Sequence, residues 1–250
     1  TSDCRVHYAI IDAGGVSPNV VQSEASVLYM VRANKVRDSV KLLARVDKIA
    51  QGAALMTETS FDRQFIDGTA ELVPNYTLEE LLYRIFNEVG LPEYTDGERQ
   101  LAEALRRTYE LHAAPGIAAG FDADIAADVA ERTNGLQDAL CGFIMPEYHS
   151  AGFVAGSTDV GDVSWQTPAA QVHCVTFPFG AAGHSWQNVS CGGTSLGHKG
   201  LINAAKIIAC AAIELMDDPE TLQKARDEFA RRTRSGYVCP IEPDAVPTAI

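Results

Sequence analysis

Basic residues are scarce in this chain beside acidic ones, and they nowhere cluster. Twenty Lys and Arg stand against 33 Asp and Glu, a formal net charge of −13. A phosphate backbone is bound by a basic face that displaces its counterions, so the charge argues against a nucleic-acid partner. No basic amphipathic helix offers itself to a membrane surface. Long apolar runs are also missing. The longest candidate, Ile202 to Met216, is interrupted by Asn203, Lys206 and Glu214, too polar to span a bilayer. The six cysteines (Cys4, Cys141, Cys174, Cys191, Cys210, Cys239) include no Cys-x-x-Cys pair. Their scatter in a chain this long reads as a reducing, cytoplasmic setting with mostly buried thiols rather than a disulfide framework. No secretory signal is read, and residue 1 is Thr rather than Met. The expectation is a trimmed start or a piece of something longer.

What remains is an ordinary globular composition, 250 residues with 46% hydrophobic content, enough for one large domain or two modest ones. Cys4 to Ile11 and Ala25 to Ala33 read as strands separated by the Asp12-Ala13-Gly14-Gly15 break. Val36 to Met56 has helical apolar spacing, and Glu58 to Ile66 reads as a third strand ended by Asp67-Gly68. This β-β-α-β unit suggests part of an α+β sandwich, with a boundary near Gly68. Beyond it, Thr77 to Val89 reads as a helix opened by a Thr77–Glu80 capping box. Glu98 to Leu111 reads as a second amphipathic helix. Pro115 to Asp128 is Ala/Gly-rich and ambiguous. A long apolar helix is expected over Gly200–Met216 and a charged one from Pro219 to Arg232. Pro240, Pro243 and Pro247 stiffen an extended tail.

The densest chemistry lies between Gly156 and Gln187. The carboxylate-bearing loop Gly156-Ser157-Thr158-Asp159-Val160-Gly161-Asp162 is followed by an apolar run, Val172 to Phe179, that reads as a buried strand. Phe153 leads into the first loop, and Gly180-Ala181-Ala182-Gly183-His184-Ser185 follows the strand. Loops at the edge of a rigid sheet commonly carry function. His184, among glycines that admit close backbone approach, is a candidate zinc or manganese ligand; the plainer alternative is a surface histidine. His173 and Cys174 alternate along the strand and so cannot share one metal. His7 reads as a packing residue. Gly192 to Gly200 brushes against a phosphate-binding loop, but Lys199 is displaced by one position and no hydroxyl follows it. The Glu79-Glu80 pair is explained by helix capping before a general-base role.

Five strings, HYAIIDAGGVSPNVVQ from His7, IAQGAALMTET from Ile49, GSTDVGDVSW from Gly156, GHSWQ from Gly183 and GHKG from Gly197, together resemble the aminoacylase/carboxypeptidase-type zinc metallopeptidases. The resemblance runs in order through the whole chain. It implies an α/β fold. Residues 69–250 would be the C-terminal part of a zinc-peptidase-like catalytic α/β domain, and residues 1–68 part of an α+β lid that also dimerises. It implies hydrolysis of the amide bond of N-acyl amino acids, with p-aminobenzoyl-glutamate as the specific expectation, at a two-metal site of zinc or manganese. By the same resemblance His184 matches a metal ligand. Asn19 and Arg32 match lid groups for the substrate carboxylate, and Ser157 and Asp159 lie beside the site.

The family's remaining ligands and its general base precede the lid, and their motifs are not in this chain. Three readings follow. The first is a C-terminal portion completed by an N-terminal half or by a second polypeptide of the hydrolase. The second is a non-catalytic module that forms a homodimer through the lid. The third is a self-contained metal site built from His149, Asp159, Asp162, His173 and His184.

Overall fold

The computed structural model describes residues 3–111, 123–135, 137–149 and 156–246. It combines helices with a small two-stranded sheet. The chain divides into two compact units. One contains the residues up to Leu72, Ser157–Trp165 and the residues from Ser235 onward. The other contains Val73–Gly156 and Gln166–Arg234.

In the first unit β1 (Arg5–Asp12) pairs antiparallel with β2 (Ser26–Arg32), Arg5 opposite Arg32 and Ile10 opposite Val27, with an irregularity before Asp12. Val6, Tyr8 and Ile10 on one face of β1 are all exposed. Helix α1 (Val36–Thr57) ends where Glu58 turns into the left-handed region at φ 53°. The strand expected over Glu58–Ile66 does not form. Arg63 instead ties that segment by its side chain to Asp47 (3.4 Å) and Glu242 (2.7 Å). These ion pairs hold the segment beside α1 and the tail without a strand ladder. A short helix, α5 (Val160–Ser164), brings Gly161 against the Ala70 carbonyl. A Cβ at Gly161 would lie 2.0 Å from that oxygen. Trp165 Nε1 donates to the Glu71 carbonyl at 2.9 Å.

The second unit is helical: α2 (Tyr76–Val89), α3 (Asp96–Arg106), α4 (Ala123–Arg132), α6 (Trp186–Cys191), α7 (Ser195–Asp217) and α8 (Pro219–Arg232). The expected Thr77 cap is replaced by Asn75, whose side chain accepts from the Leu78 N–H. Thr77 lies inside the helix and is engaged by Glu228 instead. A capping box does occur one helix later, between Thr95 and Glu98. Helix α3 ends at Arg106, five residues before the expected Leu111.

The apolar run Val172–Phe179 is not a strand. Val172 and Cys174 pack on a cluster of Leu81, Ile85, Ile207 and Ala211. Val175 and Phe177 pack on a second cluster, Ala102, Leu105, Leu140, Cys191 and Leu196. The run is apolar because it is laid against helices, which half-buries most of its side chains without a partner ladder. Gly200 of α7 makes this close: a Cβ there would stand 2.1 Å from the Val175 carbonyl oxygen.

The expectation of mostly buried thiols is also corrected. Cys191 is buried, Cys4, Cys141 and Cys174 are half-buried, and Cys210 and Cys239 are exposed. Among the described residues no helix is long and apolar enough to cross a membrane. Pro115–Asp128 is described only from Ala123. Phe153 and the tail from Pro247 lie outside the described residues.

Candidate functional site

In the first unit, Arg32 ends β2 and its guanidinium donates to Ser157 Oγ at 2.6 Å. Two residues marked out by the sequence, 125 positions apart, are thereby brought together. A cation held by a neutral hydroxyl rather than by a carboxylate keeps its charge available to an anion. Asp159 is exposed at the start of α5, and its side chain makes no capping hydrogen bond. Asp162 has a structural task. One carboxylate oxygen accepts the Ala70 N–H at 3.0 Å and the other accepts the Tyr237 hydroxyl at 2.7 Å. That hydrogen bond, with burial, pushes the Tyr237 phenol well above its ordinary range. Asn19 sits in an exposed turn, its amide oxygen accepting from Ser17 Oγ at 2.7 Å.

In the second unit, the loop before α6 is fixed by its own polar groups. Ser185 Oγ donates to the Ala182 carbonyl at 2.6 Å and accepts the Asn188 N–H at 3.3 Å. Asn188 Nδ2 donates to the Gly183 carbonyl at 2.9 Å. Gly180 permits the approach of this loop to Leu111: its φ is +82°, and a Cβ would lie 2.5 Å from a Leu111 methyl. Buried Gln187 anchors the far side through a 3.0 Å bond to Thr108. His184 is thus an exposed imidazole on a held loop. It joins no group of three ligand-type side chains among the described residues. A metal centre of the kind the resemblance implies is therefore not assembled from the described residues alone.

A different set of such side chains does come together. The ligand atoms of Glu80, Glu147 and His149 lie within 4.8 Å of one another, an arrangement compatible with a divalent metal ion. The helix places the first member. Tyr76 and Glu80 are one turn apart on α2 and share a face, and the His149 ring stacks on Tyr76 with centroids 3.7 Å apart and planes 9° from parallel. His149 Nε2 is 3.6 Å from a Glu147 oxygen and 3.7 Å from a Glu79 oxygen. Burial pushes the Glu79 carboxyl up, with Glu228 and Glu147 adding to the rise and His149 and Arg232 opposing it. His149 thus belongs with glutamates, not with the set Asp159, Asp162, His173 and His184 expected for a self-contained site. His173, Asp159 and Asp162 also join no such group among the described residues. Sequence reasoning missed Glu80 and Glu147 because Glu79-Glu80 reads as part of a Thr77 cap, which the structure replaces by Asn75. Glu147-x-His149 lies in an irregular segment with no period to mark it.

The likeness of Gly192–Gly200 to a phosphate loop ends at Lys199. Its ammonium donates to Glu98 and to the Glu93 carbonyl, both at 2.7 Å. The Lys199 bond is the main reason the Glu98 carboxyl is held down at about 2.

No family model matches the chain. The chain is 38% identical over 253 residues to a subunit of the p-aminobenzoyl-glutamate hydrolase of Escherichia coli (strain K12), an alignment that takes in 98% of this chain and 52% of that protein. It spans about half the length of the curated relative it matches. Along nearly its whole length, then, this chain is similar to about half of a p-aminobenzoyl-glutamate hydrolase polypeptide.

Proposed function

We propose that this chain is part of a metal-dependent amidohydrolase of the aminoacylase/carboxypeptidase type, acting on N-acyl amino acids with p-aminobenzoyl-glutamate as substrate. The observation that carries this reading is the 38% identity extending over 98% of the chain to a protein named for that hydrolysis. In this reading the residues up to Gly68 are part of a lid that also forms a homodimer, and the rest is the C-terminal part of a zinc-peptidase-like catalytic domain. The enzyme works in the cytoplasm with zinc or manganese.

The chemistry this chain contributes is recognition and positioning. Arg32, oriented by Ser157, supplies a guanidinium for a glutamate carboxylate, and Asn19 supplies an amide donor for the same end of the substrate. Asp159 stays beside the site as an uncommitted carboxylate. His184 is offered to the metal centre as one ligand, and the remaining ligands and the general base come from polypeptide outside this chain.

Helix α7 supports such a partner. Leu201, Ile208 and Met216 are 62%, 55% and 73% exposed, and Ala205 and Ala212 continue the stripe between them, while Leu196, Ile207 and Ala211 are buried on another side. A helix apolar on more than one side is characteristic of the middle of a larger fold. The polypeptide matching the other half of the relative is the occupant proposed for this stripe.

The test is amide hydrolysis by the chain assembled with that polypeptide, followed as release of p-aminobenzoate. The reading expects cleavage of p-aminobenzoyl-glutamate that is lost in His184→Ala. Equal rates for the wild type and His184→Ala would contradict it.

A further inference from the structure

We infer that Glu80, Glu147 and His149 form a divalent-cation site of their own, taking an ion of the zinc or manganese class, separate from the centre to which His184 is offered. The geometry carries the inference. An ion bound tetrahedrally by nitrogen and oxygen at about 2.0–2.1 Å has ligand atoms roughly 3.3 Å apart. His149 Nε2 and Glu147 Oε1 stand 3.6 Å apart, and the three ligand atoms of the set all lie within 4.8 Å of one another. The His149 and Glu147 side chains are 29% and 30% exposed, which leaves room for the small rotations that bring the donors into register.

The imidazole is aimed. It lies flat on Tyr76, and Tyr76 also carries the Arg232 guanidinium 4.1 Å from its ring centroid. Arg232 is in turn paired with Glu228 at 2.8 Å, and Glu228 holds the backbone N–H groups of Tyr76 and Thr77. The platform under His149 is therefore fixed to two helices. The edge of the ring is left toward Glu79 and Glu147, with Glu80 in reach.

Charge points the same way. Glu79, Glu80 and Glu147 gather about one imidazole, so the cluster stays net negative even with His149 protonated. One added divalent ion relieves that repulsion. The imidazole suits zinc and the two carboxylates suit manganese, while the nitrogen donor counts against calcium and magnesium, which prefer all-oxygen shells. The competing explanation is that protonated His149 is only a counter-charge for the glutamates. That explanation gives no saturable metal binding.

The inference does not rest on the hydrolase reading, and its test separates the two. The purified, metal-stripped 250-residue chain is titrated with Zn²⁺ alone, and in a second series with Mn²⁺ alone, by calorimetry and equilibrium dialysis at neutral pH. One ion per chain is expected, with affinity falling at least 10-fold in Glu80→Gln and Glu147→Gln and remaining unchanged in His184→Ala. Both glutamates are exposed, so these variants keep the fold. His149→Ala, which also removes the stack on Tyr76, is read only alongside its unfolding temperature. Absence of saturable binding below millimolar metal would overturn the site. So would binding that survives both glutamine variants, or binding lost in His184→Ala.

Discussion

Glu228 of α8 accepts three hydrogen bonds from the start of α2. They come from the Tyr76 N–H at 3.1 Å, the Thr77 N–H at 3.0 Å and the Thr77 hydroxyl at 2.9 Å. A carboxylate from one helix thus closes the open donors of another, where the helix dipole also favours negative charge.

This arrangement makes stability pH-dependent. Burial works to raise the Glu228 carboxyl, but the bonds from Thr77, Tyr76 and Arg232 outweigh it and hold it at about 2, below the ordinary 4.5. A depressed carboxyl contributes stability above the unfolded value, and that contribution is lost as pH falls toward the folded value. The contribution expected is about 3 kcal/mol at neutral pH, disappearing between pH 4.5 and about 2. Urea unfolding from pH 7 to 2 checks this. Glu228→Gln should be less stable at pH 7 and should show a flatter acid limb than the wild type.

Gly200→Ala should destabilise the chain although alanine is the better helix former. The added methyl meets the Val175 carbonyl at 2.1 Å, and overpacking of that kind costs roughly 1–3 kcal/mol. Gly97, in α3, has open space where a Cβ would go. Gly97→Ala should therefore raise stability by about 0.5–1 kcal/mol. Opposite signs in thermal unfolding would bear out the laying of Val172–Phe179 under α7. Two stabilising substitutions would refute it.

In the assembled enzyme, Arg32→Met should raise KM for p-aminobenzoyl-glutamate roughly 10- to 100-fold, the size of a lost charged hydrogen bond. Ser157→Ala should raise it less, because the guanidinium stays but is no longer oriented. Asn19→Ala should also raise KM. Steady-state kinetics decides: unchanged KM in Arg32→Met removes that residue from the substrate site.

Substituting the α7 stripe should separate folding from association. Ile208→Asp places a charge where 55% of the side chain already meets solvent, so the lone chain should unfold at a similar temperature. Association with the polypeptide matching the other half of the relative, followed by analytical size exclusion, should be lost. Retained association would move the interface elsewhere.

Much of the helical architecture was legible because amphipathic period and caps are local properties. Pro219–Arg232 falls where the proline at its first turn put it, and the structure adds the Asp218 cap. Val36–Thr57 runs one residue beyond the apolar spacing that marks it. The two unformed strands fail for a nonlocal reason: Val172–Phe179 is half-buried against helices, and Arg63 anchors its segment by ion pairs. Burial and extension look alike in sequence whether or not a partner strand exists. The pairing of Arg32 with Ser157 joins two residues singled out by resemblance, but no spacing could foretell the bond. The glutamate–histidine cluster was hidden because Glu80 and His149 are distant in sequence and meet only through the stack on Tyr76.

The most direct test of the account is the rate of p-aminobenzoyl-glutamate cleavage, measured for the chain alone and after co-expression with the part of the E. coli protein that it does not match. The account predicts no cleavage by the chain alone and cleavage by the assembled pair that disappears with His184→Ala. Cleavage by the lone chain, or a stable pair with no cleavage, would contradict it.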